Sequence, residues 1–297
     1  MAQNSGNYTK SQIGKMFEFL IKRELIIDAN NCPYYLIEDS FNSKFLIPKK
    51  QYAHYGFVPG DKIKCFLDRI NCDGEIFFEP VNPYYSEGKS YGFQFIQMQT
   101  ITNSFGYPEQ VALVKDVFGM VQTINNANTL EIRNEEIKAV VVFIKKGKLF
   151  LVPEYLYSYK LCSNYQCFTI KEEIVTERFD ETFLLQDSFR NYHFLPKAYY
   201  KNYNLKVGDQ FHGRIVKYSS KGFFYIEPKH PNYTIGLSYS FTVSETLFDN
   251  GSWFAIVVDK NNQLHKVKII DNQLKTGTEV LLKVNDILKG TLELSFQ

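Results

Sequence analysis

The chain has 297 residues, of which 44% are hydrophobic and 22% charged, a composition typical of a folded soluble protein with about two domains. Its net charge of +2 excludes a protein that binds polyanions through a general basic excess, so any contact with nucleic acid must be local. Aromatic residues make up 16% of the chain and are nearly all Phe and Tyr, which favours β-strands and supplies rings for stacking.

Neither a targeting segment nor a membrane span is predicted. Residues 1–22 lack the order of basic, apolar and small residues that marks a secretion signal, and the longest apolar run, Ala139 to Ile144, is far too short to cross a bilayer. The five cysteines are an odd number without a CxxC pair, which is typical of reduced thiols. We therefore expect a cytoplasmic protein with no membrane partner.

The first 80 residues predict five strands, with a crossing between the third and the fourth. In chain order, the predicted strands cover 17–28, 34–38, 44–47, 62–70 and 75–79. Turn signals at 29–31 and 71–74 separate neighbouring strands, and Pro48 ends the third strand. Residues 49–57 predict a short helical or irregular crossing.

The first half of the chain is repeated in the second half. Residues 39–93 align without a gap on 187–241, an offset of 148, with 18 identities in 55 positions. Beyond this stretch the pattern persists, because 137–153 resembles the segment from Val280 to the C-terminus. The period is too long for a solenoid, so the sequence indicates a duplicated pair of modules. We expect modules at 16–80, 89–153, 165–228 and 237–297, with a linker at 154–163.

Three strands, a crossing and a hairpin is the strand order of an OB barrel. Residues 44–79 (KFLIPKKQY…PGDKIKCFLDRINCDGEIFFEP) resemble the second half of the OB domains of ribosomal protein S-one. In that family a strand leads into a short helical crossing, and a Gly-Asp pair opens a hairpin with glycine in its turn. Residues 207–227 and 275–296 are similar again. This resemblance, to domains of the S-one and cold-shock type, implies an all-β chain of tandem five-stranded OB-like barrels, about four modules in two repeated pairs.

The resemblance also implies a nucleic-acid-binding face, because OB barrels stack bases on aromatic rings while basic side chains follow the phosphates. The candidate residues are Tyr34, Tyr35, Phe45, Lys49, Lys50, Tyr52, Tyr55, Phe183, Tyr192, His193, Lys197, Tyr200 and Tyr203. Aromatic residues of strands more often pack in a core than contact a ligand. Because 34–37 is apolar at every position, alternation cannot assign these rings to a face.

The motif Glu-Pro-x-x-Pro-x-Tyr occurs at 79–85 and again at 227–233. Proline fixes φ and removes a hydrogen-bond donor, so the motif is expected to end the fifth strand and direct the chain into the next module. We interpret it as a joint between modules in preference to a binding loop.

Catalytic and metal-binding motifs are not evident. The five histidines are isolated and form no HxxxH pair, and neither a nucleophile elbow nor a glycine-rich phosphate loop occurs. The sequence therefore predicts a non-enzymatic protein with no metal and no cofactor. The leading hypothesis is binding of single-stranded nucleic acid, RNA in preference to DNA. The alternative is a protein–protein interaction scaffold built from the same barrels, which the low net charge favours.

Overall fold

The computed structural model describes residues 8–27, 32–102, 106–128, 130–132, 135–161, 165–175, 180–218, 224–271 and 273–296. Some predicted features lie outside these residues, namely the turn at 29–31, the last two residues of the predicted linker and the glycine of the second hairpin, Gly222.

The chain is nearly all-β and forms four five-stranded barrels or near-barrels, which confirms the predicted fold class. Barrel 1 contains β1 (Met16–Ile27), β2 (Cys32–Glu38), β3 (Lys44–Pro48), β4 (Lys62–Ile70) and β5 (Ile76–Pro80). Barrel 2 contains β6 (Ser90–Thr102), β7 (Pro108–Lys115), β8 (Val121–Ile124), β9 (Glu136–Lys145) and β10 (Lys148–Pro153). Barrel 3 contains β11 (Gln166–Val175), β12 (Glu181–Asp187), β13 (Tyr192–Pro196), β14 (Gln210–Tyr218) and β15 (Phe224–Pro228). Barrel 4 contains β16 (Ser238–Asp249), β17 (Ser252–Val258), β18 (Leu264–Ile269), β19 (Glu279–Leu288) and β20 (Thr291–Phe296).

All four barrels share one strand order, in which the first strand pairs with both the second and the fourth. Barrels 1 and 4 are five-stranded sheets of order β3-β2-β1-β4-β5 and β18-β17-β16-β19-β20. Barrels 2 and 3 close through parallel contacts of β10 with β8 and of β13 with β15. The first strand of each barrel carries a register shift at the same place, for example between Ile21 and Arg23 in β1, which bends the strand so that it can serve two neighbours.

The crossing of barrel 1 consists of the short helix α1 (Lys49–Tyr52) and a 3-10 turn (Ala53–Tyr55), as the sequence predicts. Most of the segment predicted as a linker, 154–163, is the helix α2 (Glu154–Leu161). Pro153 ends β10, and the eight residues that follow contain neither glycine nor proline, so the backbone is free to form helical turns.

A buried aspartate stands at the end of the second strand of every barrel and organises the turn to the third strand. These residues are Asp39, Asp116, Asp187 and Asp259. In each turn, Oδ1 of the aspartate accepts hydrogen bonds of 2.8–2.9 Å from the backbone N–H groups two and four residues later. The residue three positions later has a positive φ in all four turns. This aspartate therefore gives a common reference for comparing the four barrel surfaces.

The described chain divides into two compact units. The first consists of Met1–Asn103 and Tyr107–Tyr157 and contains barrels 1 and 2; the second consists of Ser104–Gly106 and Ser158–Gln297 and contains barrels 3 and 4. Within the ranges given above, no helix combines the length and the apolar composition that a membrane span requires.

Candidate nucleic-acid interface

In the second unit, Glu227 of the repeated Glu-Pro motif joins barrel 3 to barrel 4. Its carboxylate accepts hydrogen bonds from the backbone N–H groups of Lys289 at 2.6 Å and Gly290 at 3.0 Å, in the turn between β19 and β20. The hydroxyl of Tyr200 donates to the same carboxylate at 3.1 Å. Burial raises the pKa of Glu227, and these hydrogen bonds and the nearby Arg214 oppose that rise. Both carboxylate oxygens are therefore occupied inside the joint.

The first unit contains the same joint. The carboxylate of Glu79 accepts hydrogen bonds from the backbone N–H groups of Lys146 at 2.8 Å and Gly147 at 3.1 Å, in the turn between β9 and β10. Tyr52 hydrogen-bonds to this carboxylate as Tyr200 does to Glu227. The ring of His54 adds a contact, because its Nε2 lies 3.1 Å from the carbonyl oxygen of Gly147. The Glu-Pro motif thus supplies the buried acid of each joint.

The residue three positions after the glutamate supports the turn that follows. In the first unit, Asn82 accepts hydrogen bonds through Oδ1 from the N–H groups of Tyr84 and Tyr85 at 2.9 and 2.8 Å. In the second unit, His230 accepts the corresponding bonds through Nδ1, at 3.0 and 3.1 Å. Burial lowers the pKa of His230 to about 4, in keeping with a neutral ring whose Nδ1 is an acceptor.

Seven of the thirteen candidate residues lie inside the barrels or the joints. They are Tyr35, Phe45, Tyr52, Tyr55, Phe183, His193 and Tyr200, each with 8% or less of its surface exposed. A base needs an open ring face to stack on, and burial leaves these side chains little surface for one, although Phe183 and Tyr200 contribute to the lining of a groove on barrel 3. In this structure the seven residues pack in the core and the joints, and their assignment as nucleic-acid contacts stays a prediction.

His193 is an example of this packing. Its Nε2 lies 3.0 Å from Oδ2 of Asp187, and both side chains are only 1% exposed. Burial by itself raises the pKa of Asp187, but hydrogen bonds from His193 and Asn191 outweigh it and the pKa lies below its ordinary value. His193 therefore helps to hold the turn between β12 and β13 rather than facing a ligand.

The remaining six candidates reach the surface at least in part. They are Tyr34, Lys49, Lys50, Tyr192, Lys197 and Tyr203. Two of the three lysines form ion pairs with acidic residues. Lys49 forms an ion pair with Glu24, and Lys197 lies 2.7 Å from Glu173 and 3.1 Å from Glu181. Lys50 is exposed.

Three candidates are brought together in one groove on barrel 3. Phe183, Lys197 and Tyr200 line this groove, which has a volume of about 760 Å³. Asp180 and Glu181 line it as well, so its acids balance its two lysines. This balance makes the groove a poor site for a phosphate.

Aligning the four barrels on their shared aspartate reveals a surface that the sequence analysis missed. Five residues before that aspartate, on the second strand, the barrels carry Tyr34, Val111, Thr182 and Phe254, of which Val111 and Thr182 are buried. Seven residues after it, on the third strand, they carry Leu46, Thr123, Phe194 and Lys266. Only barrel 4 combines an aromatic ring with a cation at these two positions.

We call this surface of barrel 4 the Phe254 face, made of Phe254, Ile256, Lys266 and Lys268 on β17 and β18. The ammonium of Lys266 lies 4.1 Å from the centre of the Phe254 ring and 2.7 Å from Oδ2 of Asp249. Lys268 is directly opposite Phe254 in the strand pairing, is exposed, and makes no ion pair with a described residue. Because Lys266 is paired with Asp249, Lys268 is the cation that remains for a phosphate beside the partly exposed Phe254 ring, a combination that can stack a base and meet its phosphate.

A second aromatic and basic surface lies between barrels 3 and 4, in a cleft with a volume of about 500 Å³. Its lining includes Phe194, Tyr199, Lys217, Tyr225 and Lys289. The ammonium of Lys289 lies 5.0 Å from the centre of the Tyr199 ring. We refer to it as the interbarrel cleft.

In the part of the chain that the structure describes, no group of three or more His, Cys, Asp or Glu side chains is placed to hold a metal ion. Of the described cysteines, Cys65, Cys72 and Cys167 are free thiols; Cys65 is buried, whereas Cys72 and Cys167 are exposed.

No protein-family model matches the chain, and no curated protein matches it at a significant level. Solved structures similar to it include the crystal structure of a multidomain protein with nucleic acid binding domains from Streptococcus pneumoniae TIGR4. The two proteins share 13% sequence identity over 71% of this chain and 74% of that chain, with a TM-score of 0.27.

Proposed function

We propose that this chain is a non-enzymatic, cytoplasmic protein that binds single-stranded nucleic acid through its OB-like barrels. The observation that carries the proposal is the Phe254 face, because strands two and three of an OB barrel are the strands on which ligands bind. RNA is favoured over DNA by the resemblance of the barrel hairpins to the domains of ribosomal protein S-one. The free, exposed thiols of Cys72 and Cys167 suit a reducing compartment.

The charge distribution supports a local interface. The net charge is only +2, and several lysines are paired with acids. A surface that is positively charged throughout therefore does not explain binding. On the Phe254 face, stacking supplies the affinity that charge alone does not, at about 1–3 kcal/mol for each stacked base. Tyr34 occupies the equivalent position in barrel 1 and is half-buried, which makes barrel 1 the second candidate surface.

A filter-binding assay of the full chain with an oligouridine of about 16 nucleotides tests the proposal, because an OB barrel covers about 4–16 nucleotides. We expect retention in the micromolar range or tighter at low salt, and weaker retention of the matching deoxyoligonucleotide. Phe254→Ala should weaken binding by about 5- to 150-fold, the loss of one stacked base. Lys268→Gln should weaken it as well, whereas Lys283→Gln, which removes an exposed lysine from β19 of the same barrel, should leave it within about twofold. Absence of retention at low salt would refute the proposal.

A protein-binding scaffold is the second candidate, and exposed apolar residues of barrel 4 favour it. Phe248 and Leu264 are 61% and 65% exposed, on β16 and β18. Such residues can form part of a contact with a protein partner. In that case Leu264→Ser would abolish capture of a protein partner, and no oligonucleotide would be retained.

A further inference from the structure

We infer that the interbarrel cleft takes one unstacked nucleotide of the bound strand, and that its counterpart in the first unit does not. The inference rests on the proposed function, and it assigns the two halves of the duplicated chain different roles. The cleft differs from the Phe254 face in being built jointly by the crossing and hairpin of barrel 3 and the β19–β20 turn of barrel 4.

Aromatic side chains line the cleft. Tyr199, on the 3-10 turn that follows β13, is 41% exposed and Tyr225 on β15 is partly exposed, whereas Phe194 on β13 lines the cleft with only 6% of its surface exposed. Bases of every sequence stack on such rings, because every base has a π-face. A volume of about 500 Å³ is in the range of pockets that hold small ligands, and so has room for a base with its sugar.

The charge of the cleft suits a phosphate. Lys217 and Lys289 line it, and neither forms an ion pair with a described residue. The acid among the lining residues is Glu227, whose two oxygens are occupied by the backbone N–H groups of the joint. Because Lys289 lies 5.0 Å from the Tyr199 ring centre, a base stacked on that ring brings its phosphate within reach of the ammonium. The groove that contains Lys197, by contrast, has as many acids as lysines.

The joint holds the walls of the cleft in place before a ligand arrives. Glu227 fixes the turn that carries Lys289, and Tyr200, beside Tyr199, donates to the same carboxylate. Arg214 of β14 adds a second link, because it forms an ion pair with Asp286 and donates to the carbonyl of Ile287 at 2.9 Å. A preformed site avoids most of the ordering cost of binding.

The corresponding place in the first unit lacks most of the aromatic lining of the cleft. Applying the offset of 148, Gln51 replaces Tyr199 and Leu46 replaces Phe194, so only Phe77 remains of the three rings. The guanidinium of Arg69, the counterpart of Lys217, lies 4.2 Å from the centre of the Phe77 ring. Lys145, the last residue of β9, lies 3.8 Å from Oδ1 of Asp68. The first unit thus keeps the joint but offers little aromatic surface.

The equivalence of the two turns provides a matched pair of charge variants. Lys289 and Lys146 both have a positive φ, 54° and 52°, and asparagine tolerates this conformation. Lys289→Asn and Lys146→Asn therefore remove the same charge from the same turn and leave the backbone N–H that binds the glutamate. Tyr199→Ala and Gln51→Ala form a second pair, in which an exposed ring is removed from the cleft only.

The experiment measures the affinity of the full chain for an oligouridine as a function of salt, and maps photo-crosslinks from an oligouridine that contains 4-thiouridine. The slope of log K against log salt is negative. We expect Lys289→Asn to reduce the magnitude of this slope by about 0.7, the value for one phosphate of a single strand, and Lys146→Asn to leave it unchanged. Tyr199→Ala should weaken binding at least fivefold without changing thermal unfolding, whereas Gln51→Ala should leave binding unchanged. Crosslinks should map to peptides that contain Tyr199 or Tyr225.

Two results would overturn the inference in distinguishable ways. If the oligonucleotide binds, but both lysine variants behave alike and crosslinks map only to β17 and β18, the cleft is not a nucleotide site and the proposed function stands. If the unaltered chain does not bind the oligonucleotide at all, the proposed function fails and the cleft assignment fails with it.

Discussion

The carboxylate of Glu227 accepts a hydrogen bond of 3.0 Å from the backbone N–H of Gly290, 63 residues further along the chain. Glu79 and Gly147 repeat this contact at 3.1 Å in the first unit. In both units the glutamate ends the fifth strand of one barrel and the glycine turns the last hairpin of the next. The duplicated unit is therefore a pair of barrels coupled by a buried acid, and the interbarrel cleft of the second unit forms beside that coupling.

Replacing the joint acid by its amide should weaken the second unit. Glu227→Gln leaves one acceptor oxygen for two backbone N–H groups and places an NH₂ group against a donor, so we expect a loss of about 1–3 kcal/mol in the free energy of unfolding. Urea denaturation measures it. Glu293→Gln, on the exposed side of β20, is the control and should change stability by less than about 0.5 kcal/mol. Equal effects of the two variants would show that the acid does not hold the joint.

Replacing Gly290 by alanine should destabilise the protein more than replacing Gly251, which has a similar positive φ but open space around it. Its φ is +69°, and an added Cβ would lie 2.6 Å from the carbonyl oxygen of Tyr199. Gly251 has a φ of +77° and no atom within 4 Å of such a Cβ. Gly251→Ala should therefore cost only the left-handed backbone, about 1–2 kcal/mol, and Gly290→Ala should cost clearly more. Thermal unfolding of the two variants gives the difference, and equal costs would contradict the close approach of turn and crossing.

His230 should make the second unit sensitive to acid. Its pKa falls from 6.5 to about 4 on folding, because burial disfavours the charged ring and Nδ1 accepts two backbone N–H bonds. A lowered histidine pKa means that the unfolded chain binds more protons between those two values, so the stabilisation is complete above pH 6.5 and is lost as the pH falls toward 4. The neighbouring titratable and charged groups are Asp259, His265 and Lys260.

His230→Asn is the informative variant, because asparagine already supports the equivalent turn in the first unit. We expect the unaltered chain to lose about 2–3 kcal/mol from this group between pH 7 and pH 4, and the variant to lose correspondingly less. Urea midpoints across that pH range measure it. If both proteins show the same pH profile, His230 is not a neutral acceptor in the folded state.

Local sequence signals predict where the strands lie, but they do not predict which side chains of a strand point into the core. The strand β4 lies at its predicted residues, Lys62–Ile70, because a Gly-Asp turn precedes it and a second turn follows. Tyr35 and Phe45 proved to be core because the strands around them are apolar on successive positions, and only the barrel closure decides which ring points inward. The ion pair of Lys49 with Glu24 depends on strand pairing and could not be predicted from composition.

The Phe254 face was not predicted from the sequence, for a related reason. The stretch that is repeated with high identity includes the second strand of barrel 3 only in its last residue and excludes β17 and β18. The signal that could have found it is the shared aspartate turn, because Asp259 is followed three residues later by Asn262, as Asp39 is by Asn42. Counting five residues back from each aspartate places Phe254 and Tyr34 at the same position.

The most direct test of the account is a fluorescence-anisotropy titration of a labelled, unstructured oligouridine with the full chain at about 50 and 200 mM salt. The account predicts a dissociation constant in the micromolar range or tighter at the lower salt, an affinity that falls linearly in log K against log salt, and no comparable binding of a duplex. An anisotropy that does not change at the lower salt, at protein concentrations well above the micromolar range, would contradict it.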